Sequence, residues 1–335
     1  MKDIFFTAVM ALFVISSLQA QTDRPSPHFD IKPLAPGVWA AINNDHYGHA
    51  ICNAGIVDLD REVLIFDPFM NIDAATDLKA VAKKLTGKEV KYVINSHYHN
   101  DHIRGNQLFK PGATIISTYQ TRVDQNINEP KERAAEMKIA DKVLTSLQEQ
   151  YKSMKNPEES ELPLWIAYFE GIKSSAPLLR LVVPDVTFNG EMWVYGSDRD
   201  VKIVEYKDGH TTSDCMLFLP KEGIVFGGDL LFVERHPSFS DGKPDEWYRH
   251  LEALEQNPDY AVYVPGHGPV GGKNEIAELK NYIRDLQKIV REGIDKGLSD
   301  EAIVQYPVPE RYKSWKLSRF YAENLKFLAS TMRKK

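Results

Sequence analysis

The sequence predicts a mixed α/β layered domain, and three patterns predict it. Short apolar runs bounded by turn residues recur from 37 to 270. A helix-spaced segment separates two of those runs, and the last third of the chain carries long amphipathic spacing. Strands bounded by turns, with helices between them and after them, pack as layers around a shared core.

The elements follow in order. The stretch 21–33 is polar and rich in proline, which predicts a flexible lead-in. Strands are predicted over 37–42, 50–58, 62–67, 90–95 and 113–117, with a helix over 74–86 whose Leu78, Val81, Ala82 and Leu85 share a face. Between 120 and 180 the pattern becomes helical. Met137, Ala140, Leu144, Leu147, Tyr151 and Met154 advance by threes and fours, and Trp165, Tyr168, Phe169 and Ile172 belong to a second helix. That insertion is either a hairpin packed on the sheet or a cap over a pocket, and periodicity does not choose between them. Later strands are predicted over 186–194, 201–206, 215–219, 223–228 and 261–264. From 273 to 332 the chain is mainly helical, with Leu279, Ile283, Leu286 and Val290 forming one stripe.

Composition narrows the function. The chain has 335 residues, 43% of them hydrophobic and 26% charged, values that exclude a disordered or fibrous protein. The net charge is −6, which disfavours nucleic acid as a partner because phosphate binding needs clustered Lys and Arg. A small-molecule substrate is the expected partner. Cys52 and Cys215 are the only cysteines, too few for a disulfide framework or a Cys-rich zinc module. Both lie in apolar runs and are expected to be buried free thiols, although an exported chain could pair them. Residues 1–20 combine Lys2, an apolar run from Phe5 to Ile15 and the small residues Ser16, Ser17 and Ala20. They are expected to be a signal peptide, leaving 21–335 as one exported domain, periplasmic or secreted. No later stretch is apolar for the length of a membrane span.

The decisive segment follows the strand 90–95. There His97, His99, Asp101 and His102 stand within six residues. A loop at the end of a strand can converge several side chains on one ion, and zinc takes neutral imidazole nitrogen and carboxylate oxygen at about 2 Å. One loop cannot fill two coordination shells. Three further candidates lie where predicted strands end: His210, Asp229 and His267, each preceded by a glycine that lets the backbone crowd close to a buried ion.

This order of residues resembles the metallo-β-lactamase superfamily of hydrolases, from about residue 34 to 270. The stretch 53–59, Asp67 and the runs 224–229 and 264–270 support the resemblance, while Asp67, Pro68 and Phe69 stand where the family has Asp-x-Gly. The resemblance implies a four-layer αββα sandwich with the site along one rim of the two sheets. It implies one divalent ion held by His97, His99 and His210, a second held by Asp101, His102 and His267, and Asp229 as the bridge between them. Zinc is the first choice because five of the seven ligands are imidazoles, and the carboxylates also admit iron or manganese.

Two such ions lower the pKa of a bridging water and polarise a substrate oxygen. The expected reaction is hydrolysis of a carbonyl-type bond, an ester or lactone first, with Asp101 orienting the nucleophile and shuttling its proton. A β-lactam, a thioester and a phosphodiester are the alternatives on the same site, and a metal-holding protein without catalysis is the alternative of a different class. Phe232 occupies the position, three past the bridging residue, where many lactamases of the family place a lysine. Residues expected to touch substrate are Arg235, His236 and Ser238 after Asp229, and His46, Tyr47 and His49 in a flap before a strand. Thr211 and Thr212 are expected to orient the ligands.

Overall fold

The structure is a computed structural model that describes residues 26–46 and 48–334. The expected signal peptide, 1–20, and Tyr47 lie outside the described residues.

Seven strands form the first sheet in chain order: β1 (Phe29–Ala35), β2 (Val38–Asn43), β3 (Ala54–Asp58), β4 (Val63–Phe66), β5 (Val90–Ile94), β6 (Thr114–Thr118) and β7 (Val186–Phe188). Neighbours from β1 to β4 are antiparallel, and from β4 to β7 they are parallel. The first parallel pair needs a crossover, which α1 (Ile72–Thr86) supplies; the short α2 (Asn100–Ile103) and α3 (Asn106–Phe109) lie between β5 and β6. The insertion, α4 (Tyr119–Ser153) and α5 (Leu162–Ser175), joins β6 to β7. The second sheet runs β12-β11-β10-β9-β8, from β8 (Glu191–Tyr195), β9 (Asp200–Lys207), β10 (Ser213–Leu219), β11 (Ile224–Phe226) and β12 (Val262–Val264). Parallel β11 and β12 are linked through α6 (Pro244–Gln256), and α7 (Lys273–Asp295), α8 (Asp300–Val304) and α9 (Arg319–Met332) end the chain.

Three apolar layers give the αββα sandwich. Val57, Leu64, Phe66 and Ile94 of the first sheet meet Ile203, Cys215, Leu217 and Phe226 of the second. Because side chains alternate along a strand, the opposite faces carry Ile56, Ile65 and Val93 against Leu78 and Val81 of α1, and Met216, Phe218 and Val225 in the core that holds Trp247 of α6 and Leu279, Ile283 and Leu286 of α7. Each large aliphatic side chain so buried contributes about 1.5–3 kcal/mol. Among the described residues no helix is long and apolar enough to cross a membrane.

Four expectations need correction. The lead-in is not wholly flexible: Phe29–Ala35 forms β1, an edge strand whose register breaks between Pro33 and Ala35, where the missing proline N–H is tolerated. The run 186–194 is two strands in different sheets, separated at Gly190, whose φ of 74° turns the chain. Leu85 is exposed, in the last turn of α1 before the helix ends at Gly87. In the insertion Ala140 and Leu144 are buried against Ile166, Phe169 and Ile172, whereas Met137 and Met154 are exposed, so the apolar stripe is narrower than its spacing predicts.

Candidate metal centre

Each candidate ligand stands where a strand has just ended. His97, His99, Asp101 and His102 follow β5, His210 lies between β9 and β10, Asp229 follows β11 and His267 follows β12. Parallel strands leave crevices outside their carboxyl ends, and the two sheets bring these ends to one rim.

The seven side chains form two clusters sharing one carboxylate. In the first, His99 Nδ1 lies 3.0 Å from both His97 Nε2 and His210 Nε2. Asp229 Oδ2 approaches at 3.4 Å from His210 Nε2 and 3.9 Å from His97 Nε2. In the second, Asp229 Oδ1 lies 3.1 Å from His102 Nε2 and 3.3 Å from His267 Nε2. Asp101 Oδ2 lies 3.5 and 3.3 Å from the same two nitrogens. A tetrahedral ion with bonds of about 2 Å sets its ligand atoms roughly 3.3 Å apart, which is the spacing both clusters have. His102 Nε2 and Asp229 Oδ1 are buried and, although close, make no hydrogen bond. Their geometry suits two atoms aimed at a common third one, so the residues present fit a pair of ions.

The electrostatics divide the five rings: against the pull of burial, neighbouring carboxylates hold the pKa of His102 well above that of a free imidazole, His267 at about 9 and His99 also above it, and a bound ion would displace these protons. Burial, reinforced by His102 and His99, holds the His97 pKa well below that of a free imidazole, and burial pushes His210 down to about 3. Both rings are therefore neutral, as a ligand must be. Burial alone would raise Asp229 and Asp101, but the neighbouring His102 and His267 hold both well below the usual carboxylate range.

The far sides of the rings are held too. His102 Nδ1 meets Asp67 Oδ2 at 2.8 Å, and Asp67 Oδ1 accepts from the Ser96 amide at 2.8 Å. Ser96 Oγ lies 2.8 Å from His97 Nδ1, and Asp241 Oδ2 lies 3.1 Å from His99 Nε2. Such partners fix the ring's orientation and leave the opposite nitrogen for an ion. Asp67 performs this role although its turn lacks the family's glycine. Phe69 itself takes a φ of 70°, and its ring is buried 5.1 Å from Phe29. Asn53 ties the His267 loop to β3 by donating to the Pro265 and Gly268 carbonyls at 2.9 and 2.8 Å.

Above the clusters lies one cavity of about 410 Å³, whose lining includes His99, Asp101, His210, Asp229 and His267. Ile139 of α4 and Trp165 and Tyr168 of α5 also line it, so the insertion is both hairpin and wall. Phe232 stacks on His267, its ring 5.2 Å away, and puts an apolar surface where a lysine was looked for.

The substrate candidates divide. Arg235 and Ser238 line the cavity. His236 does not: it is buried, with Nδ1 3.0 Å from the Tyr282 hydroxyl and its ring against Trp315 and Tyr321. The alternation of an extended loop turns it into the core. His46 is exposed beside Glu158 and lies off the cavity lining. His49 is bonded to Asp73 at 2.6 Å and stacked on His28. His28 Nδ1 accepts from the His49 amide, so its neutral ring carries the proton on Nε2 and faces Asp73 as a donor. Thr211 bonds Asp214 and Thr212 bonds Asp124, so neither orients a ligand ring. Cys52 and Cys215 are free and buried, and burial raises the Cys52 thiol to about 12. Sequence reasoning missed Asp241 and Ser96. Ser96 adjoins the motif, but nothing in spacing marks Asp241.

The family model described as the metallo-beta-lactamase superfamily matches residues 47–267. The chain is 29% identical over 107 residues to a metallo-beta-lactamase type 2 of Bacteroides fragilis, covering 31% of this chain and 43% of that protein. It is 20% identical over 274 residues to a linear primary-alkylsulfatase of a Pseudomonas species, covering 75% and 48%. It is 25% identical over 213 residues to a hydroxyacylglutathione hydrolase of Brucella anthropi, covering 61% and 60%. The chain thus spans about half the length of these relatives. Among solved structures, a metallo-beta-lactamase from Pontibacter korlensis matches with a TM-score of 0.56 at 16% identity, covering 76% of this chain and 99% of that one. A metallo-beta-lactamase from Pseudomonas aeruginosa in a mono-zinc form matches at 0.55 and 17%, covering 77% and 95%. The matched segment closes on His267, the last residue of the two clusters, and on that agreement of sequence, fold and site this chain belongs to the metallo-beta-lactamase superfamily.

Proposed function

We propose that this chain is an exported hydrolase that uses two divalent ions, zinc by preference, to cut an ester or lactone of a small molecule. The observation that carries this reading is the Asp229 carboxylate, which presents one oxygen to each ligand cluster at the floor of a single cavity. His97, His99 and His210 would hold one ion, Asp101, His102 and His267 the other, with Asp229 between them. Bound there, the ions would supply Lewis acidity and water activation.

The protein's own groups do the rest. Asp101, ionised and lining the cavity, would orient the attacking water and shuttle its proton. The aromatic surface of Phe232, Trp165 and Tyr168 would displace water from part of the site when substrate is bound. The relatives' names span a lactam, a sulfate ester and an acylglutathione, so membership does not choose the bond. Phe232 weighs against the lactam, because it leaves a substrate carboxylate no cation at that position.

The test is turnover of esters, lactones, thioesters, a chromogenic lactam and phosphodiesters by protein lacking 1–20, before and after chelation. Chelator-sensitive cleavage of an ester or lactone that returns on adding zinc is the expected result. Metal bound at about two ions per chain with no turnover of any substrate would overturn the enzyme reading in favour of a metal-holding protein.

A further inference from the structure

The cavity has two walls that the sandwich does not supply. The insertion contributes Ile139, Leu164, Trp165 and Tyr168, and the segment before and within α9 contributes Leu317 and Phe320. The two walls are joined, since the Ser318 amide donates to Glu161 Oε1 at 2.9 Å across the seam. Arg319 closes the join. Its guanidinium lies 3.8 Å from the Trp165 ring centre and 4.8 Å from that of Phe320, and it lines the cavity.

Apart from Glu132, which has no hydrogen bond or ion pair among the described residues, the other charges around the cavity are committed. Arg235 donates to Asp45 and to the Glu234 carbonyl, and Asp45 also takes Lys316 at 2.9 Å. Glu136 is bound to Arg104 at 2.6 Å, and Asp241 to His99. Glu132 is drawn toward its neutral acid by burial and by Glu136 and Glu129, against the pull of His99. Arg319 differs. It makes no hydrogen bond and no ion pair within 4.0 Å among the described residues; Glu323, one turn further along α9, is the acid that acts on it most strongly and does so from beyond ion-pair distance, and Glu161, weaker still, is taken by Ser318 and Trp165. Its planar donor fork lies against two aromatic rings and has no acceptor, on the side of the cavity where Ile139, Leu164, Trp165, Leu317 and Phe320 supply apolar wall.

We propose that this cavity selects a molecule with an apolar body and a carboxylate remote from the bond that is cut, and that Arg319 receives that carboxylate. The fork suits a two-oxygen anion, and the aromatic faces suit the body that joins it to the metal end. This rests on the hydrolase reading only for which bond is cut; the binding preference stands apart from it.

The experiment measures binding to zinc-loaded protein by calorimetry. The probes are half-amides of hexane-, octane- and decanedioic acid, each with one free carboxylate, and the matching neutral diamides. For at least one chain length the half-amide is expected to bind roughly tenfold more tightly than its diamide, and salt should shrink the ratio. Arg319→Met keeps an aliphatic stem over Trp165 and should collapse the ratio toward one, while Arg319→Lys should keep part of it. Equal affinities in the wild-type protein at every length, or a preference that survives Arg319→Met because the anion sits on the ions, would overturn the proposal. The matching methyl esters report on the chemistry separately. A preference for the anion without turnover of either ester removes the hydrolase reading and leaves the Arg319 site standing.

Discussion

Asp241 Oδ2 stands 3.1 Å from His99 Nε2, with Ser240 Oγ donating to the same carboxylate oxygen at 3.1 Å. The pair determines which His99 nitrogen is free. With Nε2 facing Asp241, Nδ1 is left for the cluster with His97 and His210. Replacing such a partner typically costs 10–100-fold in metal affinity, because the ring loses its fixed orientation and some basicity. Asp241→Asn is therefore expected to weaken zinc binding at one of the two sites by about that factor, read by competition with a chromophoric chelator. Two sites of unchanged affinity would remove Asp241 from the design.

Gly266 makes room for the shared carboxylate. A Cβ added there would sit 2.0 Å from Asp229 Oδ1, a distance no real side chain keeps. Asp229 cannot retreat easily, since the backbone of Gly228 and Asp229 lies 2.8–3.0 Å from the same point. Gly266→Ala should thus displace the bridge and lower the metal content below two ions per chain while far-ultraviolet circular dichroism keeps its αβ signature. Full stoichiometry in a folded Gly266→Ala protein would contradict the placement of Asp229 between the clusters.

The legible and illegible parts of this molecule divide by what their side chains face. Leu78, Val81 and Ala82 bury an apolar face, so their spacing carries the helix; the same holds for Leu279, Ile283 and Leu286. The chemistry-bearing loop was legible because His97, His99, Asp101 and His102 are crowded into one turn of chain. The first half of α4 was not. Thr121, Gln125 and Glu129 are buried there, and a polar face that is buried by hydrogen bonding leaves no apolar period to detect. Asp241 was illegible for a different reason: its partner is 142 residues away, and an acid in a loop has no local signature.

Arg104 joins the ligand loop to the insertion. Its Nε donates to Glu129 Oε1 at 3.2 Å and its Nη2 to Glu136 Oε2 at 2.6 Å, while Asn100, between two candidate ligands, donates to Glu136 Oε1 at 2.6 Å. The Arg104 and Glu129 side chains are 2% and 3% exposed, so removing the cation strands buried charge. That penalty is about 3–5 kcal/mol for a pair broken on one side. Arg104→Met should lose stability of this order in urea titration. A loss under about 1 kcal/mol would mean that water reaches the two glutamates.

His236 provides a pH test away from the metal centre. Burial lowers its pKa to about 4, only partly offset by the Tyr312 backbone, against 6.5 for the free side chain. Above pH 6.5 the ring is neutral in both states and contributes no slope. Between 6.5 and 4 the unfolded chain binds a proton that the folded one refuses, so stability falls as the pH falls. The shift corresponds to about 2–3 kcal/mol between roughly pH 7.5 and 4.5. His236→Gln abolishes that titration. In metal-free protein, where acid cannot act by stripping ions, the stability gap between wild type and His236→Gln should move in favour of the variant by this amount on acidification. His97 and His210 titrate equally in both proteins and cancel from the difference. A gap that stays constant from pH 7.5 to 4.5 would show that the His236 ring accepts a proton inside the fold, which its packing against Tyr282, Trp315 and Tyr321 argues against.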